Sequence, residues 1–435
     1  MTLRTAIAAV LAALLLGGVF AQDLVTPHRV GRPDAPNTFR YSSPPNSSGA
    51  HPVPEYAEQF REQFRLWAEA NPDWRIDIVT VSPDHGTEQA RLLEQARVGL
   101  APECAAVDSY QLPLFINQGV LQPVTEHFTQ QEIDSWFPYV REGVTGPDGK
   151  VYAFWFNTDL RVLYRNTEYM PTAPRTWDEL IEFAQQAIEE NPGVTGLLYN
   201  GGRNEGTMID FLAHFWSQGG QLLDAEGRPV FYEEPHRTYL LNALEFFRET
   251  QETGVAPARV TTFGHYNDMT AEAIQGNVAS FIGVHYQYFQ LQEALPAEEA
   301  ANWEVSPIPA REVGQGATGT GGWTIAALSD DPDVVAACMS FARSVFMGPE
   351  QEITGNLPTS QTLFEAMEAF DAPVFDLYRE FLGDGQARPG FPIYPEVSNQ
   401  WQVMIGDVIT GAATPEQALD TAARAVQGAY ERMIE

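Results

Sequence analysis

The chain has 435 residues, of which 44% are hydrophobic and 11% aromatic, so it can bury more core than one typical domain needs and we expect two lobes. Its formal charge is −33, from 58 acidic and 25 basic residues. A surface this acidic repels DNA, RNA and anionic lipid, which excludes functions that depend on binding them.

The first 21 residues have the pattern of a secretory signal peptide. One basic residue, Arg4, precedes an apolar run from Ala6 to Leu16, and Val19 and Ala21 stand at the small-residue positions that a signal peptidase reads. The apolar run is too short for a membrane-spanning helix, which needs about 20 residues. We therefore expect cleavage after residue 21 and a periplasmic or extracellular protein.

Strand-like and helix-like segments alternate after the signal peptide. A strand is predicted at Asn37 to Tyr41, then a helix with apolar residues at helical spacing from Tyr56 to Trp67. The run WRIDIVTV at 74–81 alternates as a strand does, and a helix that Gly99 ends follows it. The strand CAAV at 104–107 comes next. This alternation predicts an α/β fold with parallel sheets, in which ligands bind at the carboxyl ends of strands.

The second half contains two helix starts. Thr176 and Glu179 have the spacing of a capping box, in which the threonine hydroxyl and the glutamate carboxylate each accept from the other residue's backbone N–H. Thr414 and Pro415 begin another helix, with proline at the first helical position.

The two cysteines, Cys104 and Cys338, have no metal-site spacing. They form either one disulfide in an oxidising compartment or two buried thiols.

Searches for catalytic motifs fail. The sequence has no H-E-x-x-H, G-x-S-x-G, P-loop or C-x-x-C motif. A G-x-G-x-x-G pattern at Gly314, Gly316 and Gly319 leads into the strand-like WTIAAL, so it lacks the helix that would hold a pyrophosphate and is interpreted as a loop. Carboxylates are too numerous for any pair to be assigned as glycosidase acid and nucleophile. We therefore predict no catalytic residue, no cofactor and no metal site.

An ordered series of short motifs resembles the extracellular solute-binding proteins of ABC importers, family 1. The resemblance runs from about residue 52 to 430. Its motifs are GLAPECAAVD at 99–108, INQGVLQPVTE at 116–126, DGKVYAFWFNTDLRVLYRNTEYM at 148–170, PRTWDELIEFAQ at 174–185, AIQGNVASFIG at 273–283, WEVSPIP at 303–309, GTGGWTIAALSDDPD at 319–333 and DVITGAATPEQALD at 407–420. Their order and spacing together carry the resemblance.

The resemblance implies a two-lobed periplasmic-binding-protein-like fold of type II, an α/β fold with a ligand cleft between lobes joined by crossing strands. The expected N-terminal lobe is 37–154 with 304–347, and the C-terminal lobe is 155–303 with 348–435. The expected crossings are Val151 to Phe156 into Leu160 to Arg165, then WEVSPIP, and a third near Gly348.

The implied function is binding without catalysis. The protein would capture a di- or oligosaccharide between its lobes and deliver it to the transmembrane permease of an ABC importer, whose ATPase drives release. A monomer is expected that meets the membrane only through the permease. The alternatives are glycerol-3-phosphate or polyamine cargo in the same family, a secreted glycoside hydrolase, and a structural surface-layer protein.

A sugar offers apolar faces for aromatic stacking and hydroxyls for paired hydrogen bonds. Trp323, beside Gly322, is the first stacking candidate, since glycine permits close approach of backbone and ligand. The other aromatic candidates are Trp401, Trp155 and Tyr41. The family usually has proline near the position of Trp155. For each tryptophan, packing in the core is the alternative.

Polar candidates lie beside predicted strand ends and loops. They are Asn157, Asp159, Asp108, Ser109, Tyr286, His285, Asn204 and Glu205. Helix capping would explain Asp108 equally well. Tyr286 or His285 takes the place of a tryptophan that relatives carry after GNVASFIG, and the loop with Asn204 and Glu205 either reaches the ligand or is plain surface.

Overall fold

A computed structural model describes residues 24–79, 81 and 85–434, and the predicted signal peptide lies outside this part. The strands are β1 Val25–Thr26, β2 Arg29–Gly31, β3 Asn37–Ser42, β4 Trp74–Val79, β5 Cys104–Asp108, β6 Ala153–Trp155, β7 Asn157–Thr158, β8 Arg161–Asn166, β9 Ser280–Val284, β10 Trp303–Ser306, β11 Thr318–Thr320, β12 Trp323–Ala327, β13 Leu357–Pro358 and β14 Gly385–Ala387.

The longer helices follow the predicted periodicities. The helices are α1 Pro54–Ala70, α2 His85–Arg97, α3 Leu112–Asn117, α4 Gln130–Ser135, α5 Pro138–Val144, α6 Trp177–Glu190, α7 Glu205–Trp216, α8 His236–Glu252, α9 Tyr266–Ile274, α10 Gln287–Ala294, α11 Ala297–Ala300, α12 Pro332–Phe346, α13 Pro349–Thr354, α14 Gln361–Ala366, α15 Pro373–Leu382, α16 Tyr394–Ile409 and α17 Pro415–Ile434. None of the described helices is long and apolar enough to cross a membrane.

The chain divides into two compact units. Among the described residues, unit 1 is 24–136, 140–157 and 322–367, and unit 2 is 137–139, 158–321 and 368–434. The first predicted crossing agrees with this division, but the second and third are wrong. WEVSPIP stays in unit 2, because β10 pairs with β8 there, and the chain returns to unit 1 only at Gly322. The segment after Gly348 stays in unit 1, because α13 packs against α1.

Unit 1 is built on a seven-stranded mixed sheet in the order β1-β2-β4-β3-β5-β12-β6. The predicted parallel pairing holds at its centre, where β3 lies between β4 and β5. The returning strand β12 then inserts antiparallel to both β5 and β6. This insertion places Trp323 directly opposite Asp108.

The core of unit 1 is aromatic. Phe341 of α12 contacts Phe64 and Trp67 of α1 and Tyr41 of β3, with ring centroids 5.0 to 5.5 Å apart. Cys104 and Cys338, which the sequence left open, form a disulfide between β5 and α12. This bond fixes the helix to the central part of the sheet.

Unit 2 contains a three-stranded sheet in the order β10-β8-β9 that is wholly antiparallel, so the prediction of parallel strands is wrong here. All six residues of β8 are buried. Helix α6 starts at Thr176, whose hydroxyl accepts from Glu179 N, but the Glu179 carboxylate accepts from Arg175 N instead of completing the capping box. The helix start predicted at Thr414 and Pro415 is confirmed, and Thr414 also forms a capping box with Gln417.

Candidate functional site

A group of predicted residues meets where β5 ends beside the start of β12 in unit 1. Asp108 and Trp323 are cross-strand partners, and Ser109 N donates to Gly322 O over 3.0 Å. Asp108 and Trp323 are half-buried, whereas Ser109 is buried. Asp108 Oδ1 accepts from Tyr110 N at 3.4 Å, a weak local turn contact. We call Asp108, Ser109, Gly322 and Trp323 the Asp108 cluster, and it joins four of the predicted residues.

The backbone conformation at position 322 requires glycine. Its φ is +139°, and a Cβ there would lie 2.0 Å from Asn157 O and 2.8 Å from Trp155 Nε1. The close approach that the sequence analysis assigned to ligand is therefore made by the chain, because Asn157 O occupies the space beside the glycine. Gly322 stays in the cluster as a backbone contact.

The side chain of Asn157 is used inside unit 1. Asn157 Nδ2 donates to Glu350 Oε1 over 2.9 Å, and Asn157 Oδ1 accepts from Trp323 N over 2.9 Å. Asn157 is also buried. Its prediction as a ligand residue is therefore wrong, because both ends of the amide are occupied by the protein.

Three aromatic candidates belong to cores and not to a ligand surface. Tyr41 is buried against Phe341. Trp155 is 1% exposed and donates from Nε1 to Asn157 O over 2.7 Å. Trp401 is 0% exposed, with phenylalanine rings 5.3 to 5.9 Å from it on three sides, all within unit 2. The stacking predictions for these three residues are wrong, since the rings are already covered by their own unit.

Asn204 caps helix α7. Its Oδ1 accepts from Thr207 N over 3.2 Å, and its Nδ2 donates to Asn200 Oδ1 and Phe263 O. An N-cap asparagine satisfies backbone N–H groups that the first turn leaves without partners. The predicted ligand role is therefore wrong.

Glu205, the next residue, is held by three donors of unit 2. Arg388 Nη1 donates to Glu205 Oε1 over 3.1 Å, and the hydroxyls of Tyr394 and Ser398 donate to the same carboxylate. Both oxygens of the Glu205 carboxylate thus have donors within unit 2, although the side chain is 36% exposed. It anchors Arg388, whose Nη2 lies 3.2 Å from the point where Gly321 would carry a Cβ.

A buried charged group surrounds Arg161 in unit 2. Arg161 Nη1 donates to Asp159 Oδ1 over 2.5 Å, and Nε donates to Asp210 Oδ1 over 3.4 Å. Tyr266 O–H donates to Asp210 Oδ1 over 2.7 Å and accepts from Arg161 Nη2 over 3.2 Å. We call Asp159, Arg161, Asp210 and Tyr266 the Arg161 cluster.

Burial governs the protonation of the Arg161 cluster. Burial raises the pKa of Asp210 to about 7, because desolvation outweighs the charge of Arg161 and the hydrogen bonds from Tyr266 and Arg161. Burial acts to lower the pKa of Arg161, but the charges of Asp159 and Asp210 and the contact with Tyr266 outweigh it and the pKa is raised. Arg161 therefore stays a cation that its own unit neutralises.

Asp159 is the charged member of the cluster that reaches solvent. Its side chain is 30% exposed, while that of Arg161 is 6% exposed. Asp159 Oδ1 is fixed by Arg161, and Oδ2 has no hydrogen-bond partner among the described residues. A carboxylate oxygen in this position can accept from a ligand hydroxyl.

His285 and Tyr286 lie near the Arg161 cluster. His285 is 1% exposed, and burial lowers the pKa of its imidazole to about 4, so it is neutral at pH 7. Tyr286 is half-buried, and burial raises the pKa of its phenol to about 12. The charges of Asp159 and Arg161 act on both side chains. The structure therefore brings Asp159, His285 and Tyr286 into one region of unit 2.

Sequence reasoning missed Arg161, Asp210, Tyr266, Glu350 and Arg388. One signal was present: Arg161 begins a strand that is otherwise fully buried, and a buried charge requires a partner. The partners are 49 and 105 residues away in sequence, and no local pattern connects them. The described residues contain no group of three or more His, Cys, Asp or Glu side chains that could hold a metal ion.

Residues 49–344 match the sequence pattern of the family described as bacterial extracellular solute-binding protein. The chain belongs to this family. The match covers more than half of the sequence, and the resemblance inferred from the short motifs is confirmed.

Solved structures of sugar-binding relatives share the fold of this solute-binding protein. They include maltose-bound MalE3 of T. maritima, with 23% identity, a TM-score of 0.71 and coverage of 90% of this chain and 99% of the other. The sugar-binding protein MalE of Xanthomonas citri has 18% identity, a TM-score of 0.75 and coverages of 91% and 98%. An ABC transporter solute-binding protein of Thermotoga lettingae, bound with α-D-tagatose, has 23% identity, a TM-score of 0.70 and coverages of 90% and 98%. The predicted two-lobed α/β fold is confirmed.

Proposed function

We propose that this solute-binding protein binds a carbohydrate outside the cytoplasmic membrane and delivers it to the transmembrane subunits of an ABC importer. The observation that carries the proposal is the family match over residues 49–344. The proposal includes export through the N-terminal signal segment. It also includes capture by closure, in which a ligand favours the closed protein because it binds that state more tightly than the open one.

The charges of unit 2 favour an uncharged cargo over a phosphate ester. A phosphate needs arginine or a helix N-terminus to compensate its charge. The guanidinium of Arg161 already contacts Asp159 and Asp210, and that of Arg388 contacts Glu205. Two cations thus face three carboxylates, so this part of the protein offers no net positive charge to glycerol-3-phosphate.

The exposed oxygen of Asp159 fits a sugar hydroxyl. A carboxylate held at one oxygen and open at the other can accept a charge-assisted hydrogen bond in a fixed direction. Trp323 and Tyr286, each half-buried, are the aromatic candidates that their own units leave accessible. We therefore propose the half-buried Asp108 and Trp323 in unit 1, and Asp159 and Tyr286 in unit 2, as ligand-binding residues.

The test is a thermal-shift screen of the mature protein. The probes are glucose, maltose, maltotriose, trehalose and tagatose, with glycerol-3-phosphate and spermidine as controls. A probe that binds only the folded state at 100 times its dissociation constant stabilises it by about 2.7 kcal/mol, which raises the unfolding midpoint measurably.

A rise with at least one sugar, recovered without hydrolysis, supports the proposal. A rise with glycerol-3-phosphate or spermidine alone contradicts a carbohydrate cargo but not the family. Cleavage of a sugar contradicts the absence of catalysis.

A further inference from the structure

We infer that Arg161 is a positioning residue, which holds Asp159 in the direction that ligand binding requires and does not itself contact ligand. This inference rests on the proposed function, since it assigns a task to Asp159 in sugar binding.

Each of the three guanidinium nitrogens of Arg161 donates a hydrogen bond within unit 2. Its Nη1 donates to Asp159 Oδ1 over 2.5 Å and to Gly319 O over 3.2 Å. Its Nε and Nη2 donate to Asp210 Oδ1 and to Tyr266 Oη over 3.2 to 3.4 Å. With a side chain 6% exposed, Arg161 offers a sugar very little surface.

The backbone of Arg161 is fixed as well. Arg161 N donates to Thr318 Oγ1 over 2.8 Å, and the same hydroxyl donates to Arg161 O over 2.9 Å. Asp159 in turn forms an isolated antiparallel bridge with Gly321. The two residues are therefore held at their backbones by the segment 318–321, and the ion pair then selects one orientation of the Asp159 carboxylate.

The contacts of Arg161 with Asp159, Asp210 and Tyr266 require the planar guanidinium of arginine. Arginine presents donors in a rigid plane, whereas lysine offers one flexible ammonium. Asp210 and Tyr266 hold the far side of the guanidinium, and its face lies over the Tyr266 ring, 5.6 Å from the centroid. Lysine in this place would keep the charge but lose the contacts that fix its direction.

A double-mutant cycle tests the inference. Binding of glucose, maltose, maltotriose, trehalose and tagatose is measured by isothermal titration for the mature wild type, Asp159→Asn, Arg161→Lys and the double variant. For every sugar that the wild type binds, we expect Asp159→Asn and Arg161→Lys each to weaken binding about tenfold or more. The double variant should bind within about twofold of Asp159→Asn, because Arg161 acts through that carboxylate.

Two further variants control for folding. Arg259→Lys, which alters an exposed pair with Glu272 in the same unit, should bind as the wild type does. If Arg161→Lys does not fold, Tyr266→Phe replaces it, since it removes only the hydroxyl that holds Arg161 and Asp210. It should weaken binding about two- to fivefold, and not at all in the Asp159→Asn background.

Losses that multiply in the double variant would overturn the inference, since Arg161 would then act independently of Asp159. Wild-type affinity of Asp159→Asn or of Arg161→Lys would overturn it too, and would leave the proposed function standing. Absence of any sugar binding by the wild type would instead overturn the proposed function together with the inference.

Discussion

Asn157 and Glu350 are joined by a buried hydrogen bond of 2.9 Å between Asn157 Nδ2 and Glu350 Oε1. The Glu350 carboxylate also accepts from Asn356, Thr354 and Gln351. Asn157 is the last residue of unit 1 before residues 158–321 of unit 2, and its Oδ1 accepts from Trp323 N, just after the chain returns. The Asn157 side chain thus links the segment that ends at residue 157 both to the start of the segment 322–367 and to the buried carboxylate of Glu350.

Asn157→Ala should lower the free energy of unfolding by about 1 to 3 kcal/mol, because it removes the side-chain acceptor of Trp323 N and one of the donors to the buried Glu350 Oε1. Urea unfolding of the mature protein measures the change. Asn37→Ala, at an exposed position of β3, should change it by less than about 0.5 kcal/mol. Equal effects of the two substitutions would show that the Asn157 bonds contribute nothing to stability.

Glu350 should make stability depend on pH. Burial raises the pKa of its carboxyl from 4.5 to about 7. Between these pH values the unfolded chain has released a proton that the folded chain retains, so the free energy of unfolding falls as pH rises. The complete difference is about 3 kcal/mol at 1.36 kcal/mol per pKa unit.

Urea unfolding at pH 5 and pH 8 measures this dependence. Asp210 contributes in the same direction, so the quantity to compare is the difference between wild type and Glu350→Gln. Glu350→Gln should lose less stability from pH 5 to pH 8 than the wild type does. The same loss in both proteins would contradict the role of Glu350.

The helices and strands could be predicted from the sequence, because local geometry sets the apolar spacing of each. Helix α1 buries Phe60, Phe64 and Trp67 on one face, as their spacing predicts. Local spacing could not predict the boundaries between the two lobes, since these depend on which strand pairs with β10. That partner, β8, is 137 or more residues away in sequence, and no local pattern reports it.

The site was only partly predictable for a similar reason. Tryptophan serves equally well in a core and against a sugar, and nothing in the residues around Trp401 shows that Phe211, Phe215 and Phe231 enclose it. Asp159 was found because it follows a strand-like run, but Asp210 and Tyr266 lie within helices. Their relation to Arg161 exists only in the folded unit.

Removal of the disulfide should destabilise unit 1. The bond joins residues 234 apart in sequence, and loss of such a constraint on the unfolded chain costs about 2 to 5 kcal/mol. Differential scanning calorimetry of Cys104→Ala/Cys338→Ala should show a lower transition midpoint than the wild type. Dithiothreitol should lower the midpoint of the wild type and leave that of the double variant unchanged, and a shift of the variant would contradict this origin.

Substitutions of Trp323 should mainly affect sugar binding, and substitutions of Trp401 should mainly affect stability. Trp401→Ala empties a fully buried site and should cost about 3 to 5 kcal/mol in urea unfolding, whereas Trp323→Ala, at a half-buried site, should cost less. Trp323→Ala should weaken sugar binding about tenfold or more, and Trp401→Phe should leave it unchanged, both by isothermal titration. Weaker binding by Trp401→Phe with full affinity of Trp323→Ala would reverse the two roles.

Gly322→Ala should be strongly destabilising. At a φ of +139° an alanine is strained, and its Cβ would lie 2.0 Å from Asn157 O, closer than backbone atoms allow without movement. The movement would disturb Ser109 N, which donates to Gly322 O, and Trp323 N, which donates to Asn157 Oδ1. We expect a loss of about 1 to 3 kcal/mol or more in urea unfolding.

Gly406 provides the matched control. It lies inside helix α16, and a Cβ there would meet no atom within 4 Å. Gly406→Ala should therefore raise the free energy of unfolding by up to about 1 kcal/mol, because alanine loses less backbone freedom than glycine when it enters a helix. Since the two substitutions add the same methyl group, opposite signs locate the cost of Gly322→Ala in the backbone conformation of residue 322 and in the approach of Asn157. Stabilisation by both would show that the chain at Gly322 can relax, and that Asn157 O does not require glycine there.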